Sequence, residues 1–64
     1  MELVDSKWVS ELTGIPVGTL KYYRHADIGP RSYRIGGRAI RYDKQEVFEW
    51  IEKQKELTGR GDAA

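Results

Sequence analysis

Between Ser32 and Tyr42 the side chains alternate around a Gly36-Gly37 pair, with Tyr33, Ile35, Ile40 and Tyr42 set against Ser32, Arg34, Ala39 and Arg41. Two alternating runs joined by a glycine dipeptide predict a β-hairpin, because glycine takes the positive φ angles of a tight mirror-image turn without steric cost. With the two glycines as the turn, Tyr33 faces Ile40 on the inner side and Arg34 faces Ala39 on the outer side, with Arg38 next to the tip. A two-stranded ribbon is marginal in water, so the rest of the chain must cover its inner face.

The flanking segments change period from two to helical. Asp5 followed by Ser6 to Thr13 reads as a short helix over 6–13, with Asp5 as N-cap, Gly14 as terminator and an apolar stripe of Val9 and Leu12 beside Trp8 or Thr13. Ile15-Pro16 opens a second helix over 16–24, proline being favoured in a first turn. There Ile15, Leu20 and Tyr23 share the buried side, and Val17, Gly18, Lys21, Tyr22 and Arg24 turn outward. Asp43 to Glu46 fits a capping box, Asp43 capping the amides and Glu46 reaching back, and opens a third helix over 44–57 that Gly59 stops. Its core side is Val47, Trp50 and Ile51, and its other side carries Glu46, Glu49, Glu52, Lys53 and Glu56. Trp50 reads as core, while Trp8 remains open between core and partner contact. Two short helices around a glycine turn make a helix-turn-helix, and the hairpin beside them is a wing. The expected architecture is mainly α with a β-hairpin wing over 32–42, a winged helix-turn-helix spanning 1–58, with 59–64 as a flexible tail.

Composition narrows what such a domain does. Sixty-four residues without a cysteine exclude disulfides, thiolate metal clusters and cysteine nucleophiles, and they favour a reducing cytoplasm. The acidic start Met1-Glu2 and the lack of a long apolar run predict no signal peptide and no membrane segment. A core this small does not readily enclose a substrate pocket, and the lone His25 suits a helix C-terminus better than a metal site, so neither catalysis nor a cofactor or metal is expected. Arg60-Gly61-Asp62 spells an adhesion tripeptide, read here as chance.

The net charge of +1 hides a polarised chain. From 16 to 44, seven basic residues against Asp27 and Asp43 leave +5, and the remaining residues hold four basic groups against eight acids, leaving −4. Five of the seven are arginines, and Tyr22, Tyr23, Tyr33 and Tyr42 are interleaved with them, a mixture suited to phosphate and base-edge contact. A solvated charged face is the bland alternative. Against it stands Gly18, since a glycine within a helix costs about 1 kcal/mol relative to alanine yet lets backbone approach a surface closely. Lys21 and Arg24 read as phosphate or base contacts and Tyr22 as a backbone clamp. The Thr19 hydroxyl is open between a phosphate and its own helix. Arg34, Arg38 and Arg41 repel one another around one turn unless a polyanion lies near, although Arg41 is also placed to pair with Asp43.

Thr19-Leu20-Lys21-Tyr22-Tyr23-Arg24, then Gly29-Pro30-Arg31-Ser32-Tyr33-Arg34-Ile35-Gly36, then Arg41-Tyr42 and Val47-Phe48-Glu49-Trp50-Ile51 resemble the MerR-like winged helix-turn-helix. More closely they resemble its small excisionase branch, found in phages, prophages and actinobacterial genomes, over about residues 5–54. The resemblance implies a second helix in the major groove of double-stranded DNA and a wing on the flanking minor groove or backbone. The implied DNA-binding residues are Val17, Gly18, Thr19, Lys21, Tyr22, Arg24, Arg34, Arg38 and Arg41. It further implies a recombination directionality factor that binds and bends attachment-site DNA beside neighbouring copies of itself and biases a tyrosine integrase toward excision. A small transcriptional regulator of the same build is the alternative, and a protein-interaction module that docks on an acidic partner is a third. The inducer-binding domain and long dimerisation helix of full MerR regulators find no counterpart in these 64 residues.

Overall fold

The computed structural model describes residues 1–61 as three helices and a three-stranded antiparallel sheet. Strand β1 (Leu3–Val4) leads into helix α1 (Ser6–Thr13), helix α2 (Val17–His25), the hairpin of β2 (Ser32–Ile35) and β3 (Ala39–Asp43), and helix α3 (Lys44–Thr58). No helix among the described residues is long and apolar enough to cross a membrane.

Helix α1 starts where Asp5 accepts from the Trp8 amide at 2.8 Å and ends where Gly14, at φ +80°, returns its N–H to the Ser10 carbonyl. The Thr13 hydroxyl then bridges the turn, donating to the Val9 carbonyl at 2.8 Å and accepting from the Ile15 amide at 3.2 Å. Pro16 is the N-cap of α2 and lies just outside the helix, which therefore begins at Val17 and runs one residue further than expected, to His25.

Strand β3 is central, in the order β1-β3-β2. Two residues are too few to show a period, and β1 is fixed instead by Val4 pairing with Tyr42 and by the Lys44 amide donating to the Glu2 carbonyl at 2.8 Å. The hairpin register differs by one from the expected pairing. Ile35 pairs with Ala39, Arg34 with Ile40 and Tyr33 with Arg41, so Arg38 belongs to a three-residue loop with Gly36 and Gly37, both at positive φ. A one-residue slip exchanges faces. Ser32, Arg34, Ile40 and Tyr42 therefore share one face, and Tyr33, Ile35, Ala39 and Arg41 share the other.

The core is Val4, Val9, Leu20, Tyr42 and Val47, one residue from each of five elements, with Trp8, Ile15, Tyr23, Ile40 and Ile51 packed around it. Leu12 is 44% exposed and leaves the expected stripe, its place beside Val9 going to Trp8. Of the two tryptophans it is Trp8, not Trp50, that joins the core. Trp8 packs on the core, meets Phe48 edge to face at 6.1 Å and carries the Lys44 ammonium over its ring, whereas Trp50 is half-buried outside the core cluster. Asp43 caps α3 by accepting from the Gln45 amide at 3.0 Å, but Glu46 does not reach back to complete a capping box. Its carboxylate accepts from the Tyr33 hydroxyl at 2.8 Å and ties the hairpin to α3. Helix α3 ends at Thr58, and Gly59 donates its N–H to the Lys55 carbonyl at 2.9 Å. Of the expected tail over 59–64, residues 62–64 lie outside the described residues, and with them Asp62 of the Arg-Gly-Asp triplet.

Candidate nucleic-acid interface

Nine residues make α2 about 13 Å long, enough to lie across about four base-pair steps of a major groove. Burial of Leu20 and the packing of Tyr23 fix its roll against α1, and the opposite side is open: Val17, Gly18, Lys21 and Tyr22 are exposed, while Thr19 and Arg24 are half-exposed at its edges. A Cβ on Gly18 would meet nothing within 4 Å, so nothing inside the domain demands glycine there. Pro16 offers no side-chain cap, which leaves the first-turn amides of α2 unclaimed at the positive end of the helix dipole. The Thr19 hydroxyl makes no hydrogen bond among the described residues, unlike those of Thr13 and Thr58, which bond back to their own helices.

In the wing, Arg34 and Arg38 are exposed, and among the described residues neither they nor Lys21, Arg24 and Arg31 have a carboxylate within 4.0 Å. The expected outer face carrying both Arg34 and Arg41 does not form. Arg34 lies on the face that carries Ile40 and Tyr42 toward the helices, Arg38 is in the tip loop, and Arg41 is on the opposite face beside Tyr33. Arg41 is half-buried and gives one guanidinium N–H to the Ile40 carbonyl at 2.8 Å, so the pairing with Asp43 does not occur and part of its donor set is spent on its own strand.

Backbone hydrogen bonds and a close contact with Tyr23 seat the segment between α2 and the wing. Asp27 adopts φ +60°, Ile28 donates its amide to the Tyr23 carbonyl at 2.9 Å, and Gly29 lies so close to Tyr23 that a Cβ would stand 2.9 Å from the ring carbon Cδ2. Pro30 is buried. Arg31 then emerges with its guanidinium over the Tyr33 ring, 5.4 Å from the centroid. Donation to the Glu46 carboxylate raises the Tyr33 pKa above its ordinary value, since ionisation would break the bond and set two negative charges together; partial desolvation adds to the rise and nearby Arg31 opposes it.

A family model described as a helix-turn-helix domain matches residues 3–55, that is, every element from β1 through most of α3. The chain belongs to that family. This helix-turn-helix domain, with its hairpin wing, is a small sequence-specific DNA-binding protein, and it has the two features such a module requires: an exposed second helix and acid-free cations on one run of chain. No curated protein and no solved structure matches it. Arg31 is absent from the residues singled out by the sequence. Its signal is the stacking partner two residues on, and an Arg-x-Tyr spacing identifies that only once the segment is known to be extended.

Proposed function

We propose that the protein is a MerR-like excisionase of the small phage type, which reads double-stranded DNA with α2 in the major groove and touches phosphates with the wing. The observation that carries the DNA part is the open side of α2. Among the described residues, a Cβ on Gly18 would meet nothing, Lys21 lies one turn further on and Arg24 two turns on without a paired acid, and the first-turn amides have no side-chain cap. Close approach of duplex DNA accounts for all three. Lys21, Arg24, Tyr22 and Thr19 form the reading and clamping surface in this account, and Arg34 and Arg38 are backbone contacts that carry no sequence information. Arg41 contributes less, because its own strand already holds one of its donors.

The excisionase role rests on the resemblance carried by the second helix, the wing and the start of the third helix. On this reading the protein acts in the cytoplasm of a bacterial host, has no catalytic activity of its own, binds beside neighbouring copies on bent DNA and steers a tyrosine integrase toward excision. The groove along α3 lined by Glu49, Glu52 and Glu56 supports the contact between copies, since it is complementary to a basic wing on the next protomer. Two measurements test the proposal. Lys21→Ala and Arg24→Ala should reduce discrimination between specific and random duplexes, whereas Arg38→Ala should weaken both about equally. An in vitro recombination reaction with the cognate integrase should turn from integration to excision when the protein is added. Binding without that change is the result expected of a small transcriptional regulator.

A further inference from the structure

Arg31 stands where the second helix hands over to the wing, with backbone held in place on both sides of it. On its N-terminal side, Gly29 at φ +79° is pressed against Tyr23 of α2 and Pro30 is buried. On its C-terminal side, Ser32 is the first residue of β2 and pairs with buried Tyr42. The guanidinium rests on the Tyr33 ring at 5.4 Å, and that ring is itself anchored by a 2.8 Å hydrogen bond from its hydroxyl to Glu46. The result is an exposed guanidinium with fixed root and supported head, and no carboxylate lies within 4.0 Å of it among the described residues. With no carboxylate beside it, the exposed guanidinium keeps its N–H donors for a ligand, and two of them can take two phosphate oxygens at once.

We propose that Arg31 is a DNA backbone contact, binding a phosphodiester between the α2 site and the wing, and that Tyr33, anchored on Glu46, is its positioning residue. The inference rests on the DNA-binding reading and adds to it a phosphate site that bridges its two parts. Because the site lies at the root of the wing, it sets where the wing descends relative to α2. The placement matters because an arginine loses side-chain freedom on binding, and a guanidinium already held over a ring has less of it to lose.

The test is a salt titration of binding to a random-sequence duplex, followed by fluorescence anisotropy. Each phosphate contact adds about 0.9 to the slope of log affinity against log salt, so Arg31→Gln should lower the slope by about that amount. Between 50 and 200 mM salt the wild type should therefore lose about 3.5-fold more affinity than the variant. Tyr33→Phe keeps the ring under the guanidinium but releases it from Glu46, and it should weaken binding two- to fivefold in the wild-type background and have no further effect in Arg31→Gln. The thermal midpoint of Arg31→Gln should match wild type, because the guanidinium is exposed. A steep wild-type slope left unchanged by Arg31→Gln overturns the phosphate contact. Additive effects of the two substitutions overturn the positioning role. A wild-type slope near zero instead sinks the DNA-binding reading itself, so the two failures are distinguishable.

Discussion

Replacing Gly18 by alanine sets fold stability against function at a single atom. Gly18 is the second residue of α2, with helical backbone and open space where a Cβ would stand. Alanine is favoured over glycine within a helix by about 0.5–1 kcal/mol, and near a helix start the lower figure applies. A gain of about 0.5 kcal/mol in a domain this small should raise the thermal midpoint by about 2–4 °C. The same methyl group points to the side of the helix that carries Val17, Lys21 and Tyr22, where it would hold a DNA surface away from the α2 backbone. Binding should fall about tenfold, equivalent to about 1.4 kcal/mol, as close contact and the adjoining polar contacts are lost together. Circular dichroism melts and anisotropy titrations on the same preparation measure both changes. A stabilised variant that binds as tightly as wild type refutes the reasoning, since Gly18 would then serve neither the fold nor the interface.

Three further outcomes follow from the packing. Tyr42 is 1% exposed and its hydroxyl has no hydrogen-bond partner among the described residues, so Tyr42→Phe should leave stability unchanged or raise it by about 1 kcal/mol in chemical denaturation; a loss of stability means the hydroxyl is satisfied by a group such as buried water. Gly29→Ala meets a left-handed backbone and a ring carbon at 2.9 Å together, and it should destabilise by about 2 kcal/mol, against about zero for the equally small change Ala26→Gly at the open α2 C-cap. Tyr33 should ionise above the ordinary tyrosine value in an ultraviolet alkaline titration. Its raised folded-state pKa means the native state holds the phenolic proton more tightly than the unfolded chain, so this stabilisation is complete below about pH 10 and is lost as pH rises through the folded value. Tyr33→Phe should abolish that part of the alkaline dependence.

The helices are legible in the sequence because their signals are local. Asp5, Gly14 and Asp43 mark boundaries through caps and a left-handed glycine that depend only on nearby backbone. The open side of α2 is legible for the same reason, since the spacing of Leu20 and Tyr23 fixes the roll of so short a helix. The hairpin is legible in existence but not in register. A Gly-Gly pair is compatible with a two- or a three-residue loop, and only the packing of Ile40 and Tyr42 on the helices decides that Arg38 joins the loop. That single residue reassigns Arg34 and Arg41 to opposite faces and moves Tyr33 away from Ile40. Glu46 illustrates a second limit. Its spacing from Asp43 satisfies a capping box, but a tyrosine thirteen residues earlier in the chain competes for the carboxylate and holds it. The two tryptophans show a third: helical spacing places Trp50 near the core side, yet Val47 and Ile51 supply the contacts of α3 with the core, and Trp8 packs between that core and Phe48 of α3.

Titration of isotope-labelled protein with duplex DNA, followed by backbone amide chemical shifts, tests the central claim most directly. Perturbations should concentrate on residues 17–24, on Arg31, and on 34–38 at the wing, while the carboxylate-bearing side of α3 around Glu49, Glu52 and Glu56 stays silent at one protomer per duplex. Shifts centred on α3 or on α1, with α2 unmoved, would contradict the account.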